Sequence, residues 1–220
     1  MGIAVITGAN RGIGLALVRQ LHARGKAVVA VCRSSSLELD RLGIRIESGI
    51  DLTLPEACDR LAACLSQDPI DLLIHNAGVF IEDTLVSVRA NDVRAQLAIN
   101  ALAPLFVTQA LMPLLTPGAK VALVTSRMGS IGDNKSGGYY GYRMSKAALN
   151  AAGVSLARNL APRGVAVVIL HPGAVRTGMT AGQGDLEPDE SAKGLLRRID
   201  ELRLDTSGRF LHQNGDVLPW

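Results

Sequence analysis

The sequence predicts one α/β domain over residues 1–220, a doubly wound parallel β-sheet with helices on both faces. Three observations predict it. Apolar β-type runs alternate with helical stretches from end to end, the pattern of right-handed strand–helix–strand crossovers in one sheet. The apolar runs are continuous, as in parallel strands covered on both faces, and lack in–out alternation. The first run hands over to a helix through a turn with three glycines, TGANRGIG at residues 7–14.

Taken in order, Ile3–Ile6 is the first strand and Gly12–Ala23 the helix that follows the glycine turn. Further strands are expected at Ala27–Val31, Ile44–Glu47, Ile70–Ile74, Lys120–Val124 and Val165–Leu170. Helices are expected at Pro55–Ser66, Ser87–Leu115 and Tyr142–Leu160. Pro104 lies inside the longest of these, and its missing N–H predicts a kink or break there. Glu187–Leu204 reads as a short final helix with Pro188 in its first turn. Arg209–Leu211 reads as a last edge strand.

Composition narrows the function. Aromatic residues are only 3% of the chain, and the net charge of +3 comes from scattered basic residues. Neither a stacking platform nor a basic footprint for nucleic acid is present in such a sequence. Cys32, Cys58 and Cys64 have neither metal-ligand spacing nor a paired framework, so no metal site is expected. Cys32 sits in an apolar run and reads as a small buried hydrophobe. No apolar stretch reads as a membrane span, and strand begins almost at residue 1 with no leader pattern. The expectation is a reduced, cytoplasmic protein without membrane or nucleic-acid partners.

The glycine turn points to a phosphate. Gly8 makes the tight turn out of the strand, Gly12 lets backbone approach a ligand, and Gly14 allows the helix to pack closely on the sheet. The helix N-terminus then offers free N–H groups and the positive end of its dipole. This is Rossmann-type dinucleotide chemistry, although the spacing is Gly-x3-Gly-x-Gly.

Further landmarks follow in order: HNAG at 75–78, Asn100, Ser126, YRMSK at 142–146 and HPGAVRT at 171–177. With TGANRGIG, this set resembles the short-chain dehydrogenase/reductase family, whose motifs are Thr-Gly-x3-Gly-x-Gly, Asn-Asn-Ala-Gly, Tyr-x3-Lys and Pro-Gly-x3-Thr. His75 departs from the first asparagine of the second motif. The resemblance implies a nicotinamide cofactor held by Gly8, Asn10, Arg11, Gly12, Ile13 and Gly14. It implies Asp51 and Leu52 beside the adenine, and Asn76, Ala77 and Gly78 along the adenosine ribose. Thr177 would hold the carboxamide, with Pro172, Gly173 and Val175 passing the nicotinamide.

Arg33 stands where a ribose-binding carboxylate usually ends the second strand. A guanidinium pairs with a 2′-phosphate, whereas a carboxylate repels it. Arg11 adds a second positive charge, and Ser34–Ser36 add donors. NADP(H) is therefore expected over NAD(H).

Tyr142 and Lys146 are four residues apart, on one helix face. A nearby ammonium is expected to lower the phenol's pKa and make it a usable general acid or base. Ser126 is expected to bond the substrate oxygen and steady its developing charge. The resemblance places Lys146 on the nicotinamide ribose and Asn100 on a water linking Lys146 to solvent. The implied reaction is hydride transfer to a ketone or aldehyde. His75 and His171 read as structural.

Two stretches, residues 126–150 and 207–220, resemble the C-factor and sniffer-type carbonyl reductase branch. About ten residues separate Thr177 from Pro188, a short lid that suits a small or exposed carbonyl compound. The alternative is a nucleotide-binding signalling protein with incidental catalysis. A homodimer or homotetramer through the helices Ser87–Leu115 and Tyr142–Leu160 is expected from the resemblance.

Overall fold

A computed structural model of the chain describes residues 2–220. Among these residues, seven strands form one sheet: β1 Ile3–Thr7, β2 Val28–Val31, β3 Arg45–Glu47, β4 Ile70–His75, β5 Leu115–Val124, β6 Ala166–His171 and β7 Phe210–His212. The order is β3-β2-β1-β4-β5-β6-β7, and every neighbouring pair is parallel. The chain winds outward from β1 to β3, then returns to β4 and winds the other way. The reversal opens a crevice at the carboxyl ends of β1 and β4, where α/β sheets take their ligands.

The helices are α1 Gly12–Ala23, α2 Leu37–Asp40, α3 Pro55–Cys64, α4 Ala90–Leu97, α5 Ala103–Leu111, α6 Tyr140–Leu160 and α7 Pro188–Glu201. Alternate strand residues face opposite layers. Val5, Val121, Leu123, Val167 and Ile169 pack on Leu61, Val107, Leu149 and Leu160 of α3, α5 and α6. Ala4, Ile6, Ala122, Val168 and Leu170 pack on Leu17, Leu21, Leu195 and Ile199 of α1 and α7. Both sheet faces are thus dry, which explains the unbroken apolar runs.

Four expectations need correction. The stretch 87–115 becomes α4, a π-helical segment Ala98–Leu102, α5 and a 3₁₀ turn Met112–Leu114. The irregularity therefore precedes Pro104. In α register Pro104 would face the carbonyl of Asn100, giving it no N–H and clashing with it, and the widened turn relieves the clash. β5 starts at Leu115, five residues early, and the helix stops short of it. Four-residue α2 was not expected; Ser36 caps it by accepting from the Leu39 N–H. Finally, Ala90–Leu114 is long and apolar enough to cross a membrane by length and composition. In the fold this run packs on α3 and α6 as part of the domain.

Helix α6 lies very close to the sheet at Gly153. A Cβ there would meet the Ile169 side chain at 2.6 Å and Leu123 at 2.8 Å. Gly153→Val is expected to destabilise the chain by about 1–3 kcal/mol through overpacking, read as a lower urea midpoint at unchanged slope.

Candidate active site

A crevice of about 770 Å³ runs along the carboxyl ends of the strands, a volume suited to a cofactor-sized ligand. Its lining joins Gly8, Asn10, Arg11, Gly12 and Ile13 of the glycine turn to Arg33, Asp51 and Leu52 beyond β2 and β3. Asn76, Ala77 and Gly78 beyond β4 and Asn100, Tyr142, Lys146, Pro172 and Thr177 complete the far side. Among the predicted residues, Gly14, Ser126, Gly173 and Val175 are not part of this lining.

The glycine turn is held by main-chain contact. Gly8 has φ +65°, and a Cβ on it would lie 2.7 Å from Ala77 Cα. A Cβ on Gly14 would lie 2.2 Å from the Gly8 carbonyl oxygen. Gly12, at φ +53°, faces Thr177 across the crevice. Asn76 staples the turn to β4: its Nδ2 donates to the carbonyls of Thr7 and Gly8, while Thr7 Oγ1 accepts from the Asn76 and Ala77 N–H groups. Among the described residues no side chain caps α1, so its first amides and dipole are left for an anion. This glycine-lined cradle of free amides fits a pyrophosphate.

Asn10 Nδ2 donates to the Ser34 carbonyl at 2.9 Å, tying the glycine turn to the loop that carries Arg33. The Asp51 carboxyl is held below the ordinary value, first by hydrogen bonds from Thr53 and then by the charge of Arg33. The end of this crevice beside Arg33 and Arg11 carries positive charge.

At the other end, Tyr142 and Lys146 project from the first turns of α6. Lys146 Nζ donates to the Val124 carbonyl at 3.0 Å and sits 5.7 Å from the centre of the Tyr142 ring. The expected depression of the phenol is not what the structure gives. Burial pushes Tyr142 up to about 12, and a hydrogen bond with Ser126 only partly opposes it. Burial brings Lys146 down to about 8. Near neutral pH the pair is therefore a protonated phenol beside a cationic amine, an arrangement chemically able to donate a proton.

Ser126 lies two residues beyond β5 and caps a 3₁₀ turn Arg127–Gly129, its Oγ accepting from the Met128 N–H at 3.1 Å. Asn100 is fully buried in the π segment. Its amide donates to the Val79 carbonyl and Ser145 Oγ, and its Oδ1 accepts from the Val79 N–H. The side chain is thus committed to protein partners. The main-chain carbonyl is the group that Pro104 cannot serve in α register.

His75 is buried and within 2.8 Å of Thr108 Oγ1. That hydroxyl donates to the Pro104 carbonyl, so His75 Nε2 is the donor in their bond. Burial lowers the His75 pKa to about 3. His171 also falls to about 3, through burial and then the charges of His212, Arg127 and Lys146. The lid is a 3₁₀ turn Gly178–Thr180 and a loop closed by the Val175–Leu186 bridge and an Arg176–Glu187 ion pair at 2.7 Å. Sequence reasoning missed Met179 in the crevice wall and Phe80, whose ring meets Tyr142 edge-on at 4.8 Å. Neither lies in a periodic or motif context that marks it.

The family model for short chain dehydrogenases matches residues 2–187. The 1-hydroxy-2-glutathionyl-2-methyl-3-butene dehydrogenase of Rhodococcus sp. strain AD45 is 43% identical over 226 residues, covering 100% of both chains. C-signal of Myxococcus xanthus is 48% identical over 155 residues, covering 69% of this chain and 93% of its own. Among solved structures, the carbonyl reductase Sniffer of D. melanogaster superposes with a TM-score of 0.92 at 31% identity, covering 100% of both chains. An NADPH-bound carbonyl reductase from chicken fatty liver gives 0.88 at 30% identity, also covering 100% of both.

The two depressed histidines carry a pH signature. In the folded chain they titrate near 3, against an ordinary 6.5, so the unfolded chain binds more protons between these values. Their contribution is intact above about pH 6.5 and is lost as pH falls toward 3, by at most about 1.4 kcal/mol per pH unit for each. Urea midpoints at pH 7 and pH 5 should differ accordingly; equal midpoints contradict this assignment.

Proposed function

This chain belongs to the short chain dehydrogenase family, and on that premise we propose that it is an NADP(H)-dependent reductase of ketones or aldehydes. The observation that carries the proposal is the single crevice that runs from the uncapped glycine turn to Tyr142 and Lys146. When bound, the nicotinamide supplies the hydride. Gly8, Asn10, Arg11, Gly12, Ile13 and Gly14 would form the phosphate turn. Asp51 and Leu52 would border the adenine, and Asn76, Ala77 and Gly78 the ribose. Thr177, Pro172, Gly173 and Val175 would bound the nicotinamide end.

Tyr142 would donate its proton to the carbonyl oxygen as negative charge develops there. Ser126 would hold that oxygen and orient it. Lys146, cationic below about pH 8, would favour the phenolate left behind. Because the Asn100 amide is committed to Val79 and Ser145, a relay water toward Lys146 would rest on the Asn100 main-chain carbonyl. Arg33 and Arg11, on the crevice rim, would pair with a 2′-phosphate and select NADP(H).

The short lid favours a small or exposed carbonyl compound. The Rhodococcus relative makes glutathionyl-substituted alcohols a reasonable class to assay alongside simple ketones. A second reading follows from the likeness to C-signal: a nucleotide-binding signalling protein whose catalysis is incidental. Leu102 and Phe106 are each 48% exposed one helical turn apart, and this face would support a homodimer or homotetramer, checked by light scattering. The three free cysteines suit a reducing cytoplasm.

Tyr142→Phe should cut kcat by about 10²- to 10⁴-fold with NADPH affinity nearly unchanged. NADPH binding without turnover in either protein favours the signalling reading. In Arg33→Asp, kcat/KM for NADPH should fall and relative use of NADH rise; unchanged selectivity removes Arg33 from the assignment.

A further inference from the structure

Helix α6 starts without a cap of its own. Among the described residues, no side chain at its N-cap, Tyr139, bonds the first turn. Gly137, Gly138 and Tyr139 enter it at φ +66°, +63° and +53°, and for tyrosine this left-handed region is uncommon. The acceptor for the first amides comes from 57 residues upstream. Asp83 Oδ1 accepts from the Tyr140 N–H, and Oδ2 accepts from the Gly141 N–H at 3.0 Å. The Asp83 carbonyl also accepts from the Tyr139 N–H at 2.9 Å.

Asp83 is only 6% exposed. A buried carboxylate is costly unless bonded, and a helix N-terminus is a place that favours its charge. An apolar side chain would fill the space without supplying the two acceptor oxygens. The segment that carries Asp83 is pinned from the opposite side as well. Val79 is bonded through both main-chain groups to Asn100, and the Ile81 N–H donates to Gln96 Oε1 at 3.0 Å. Between these anchors, Phe80 presses edge-on against the Tyr142 ring. The first turn of α6 has little slack: a Cβ on Gly141 would lie 2.4 Å from Gln96 Nε2 of α4 and 3.3 Å from Asp83 Oδ2.

We propose that Asp83 is a positioning residue for the proton donor of the reaction proposed above: it caps α6 across the fold, fixes the first turn, and so holds the Tyr142 phenol in place. Tyr142 lies one residue beyond the capped amides, so a shift of that turn carries the phenol with it. A displacement of about 1 Å at a reacting group costs up to about a hundredfold in rate.

The test compares wild type, Asp83→Ala and Asp83→Asn. Steady-state kcat and KM with a carbonyl substrate are read at saturating NADPH, with NADPH Kd from fluorescence. Ionisation of Tyr142 is read as the ultraviolet difference from matching Tyr142→Phe proteins. Asp83→Ala should lower kcat about tenfold or more and leave NADPH Kd within about threefold, since the glycine turn and Arg33 are untouched. Its phenol should titrate closer to the ordinary value of about 10, as a loosened turn admits water. Asp83→Asn keeps one acceptor oxygen and should lie between. An Asp83→Ala protein with kcat and phenol titration both at wild-type values overturns the proposal. If that variant does not fold, Asp83→Asn decides by the same two readouts. The titration needs no turnover. Wild-type protein that binds NADPH yet reduces no carbonyl defeats the proposed reaction, and the phenol shift alone then decides the role of Asp83.

Discussion

The crevice depends on one close approach, that of the first strand's glycine turn to the end of the fourth strand. Gly8 touches the main chain of Ala77, Gly14 touches Gly8, and Asn76 hydrogen-bonds both carbonyls of the turn. The two glycine contacts are of backbone with backbone, at distances that exclude even a methyl group. They set where α1 begins and aim its unpaired amides along the strand ends. The sheet's change of winding direction opens the space, and this contact keeps the space free of side chains. The other functional groups then come in from the ends of β5, β6 and the start of α6.

Burial, more than charge, sets the protonation of those groups. Tyr142 and Lys146 are one helical turn apart, yet desolvation is the largest influence on each, raising the phenol and lowering the amine. A buried amine beside a buried phenol keeps its proton less firmly than one in water, and the phenol keeps its proton more firmly. The resting state that results is a protonated phenol beside a cationic amine. The two histidines that adjoin the motifs are neutral for the same reason, which leaves them outside acid–base work at neutral pH.

Much of this was legible because the relevant signals are local. Gly8, Gly12 and Gly14 announce a turn by their spacing, and Tyr142 and Lys146 share a face because helices repeat every 3.6 residues. The strand cores of β1, β2, β4 and β6 stood out as continuous apolar runs because both faces of the sheet are covered. What was illegible is non-local. Asp83 stands beside a second acid, Glu82, in a loop with apolar residues on either side, and nothing near it in sequence tells that it caps a helix 57 residues away. Phe80 and Met179 have no periodicity to mark them. The five residues that extend β5 toward Leu115 include Pro117 and Gly118, which by themselves read as a turn.

The sequence by itself determined the alternation of strand and helix, the glycine turn and the placing of Tyr142 and Lys146 on one helix, since each depends on residues within a turn or two of one another. Tertiary structure alone decided the protonation of Tyr142 and Lys146, the commitment of the Asn100 amide, and the capping of α6 by Asp83. Desolvation and hydrogen-bond satisfaction are properties of what surrounds a group in space, and the surroundings here are assembled from chain segments that lie far apart until the sheet forms.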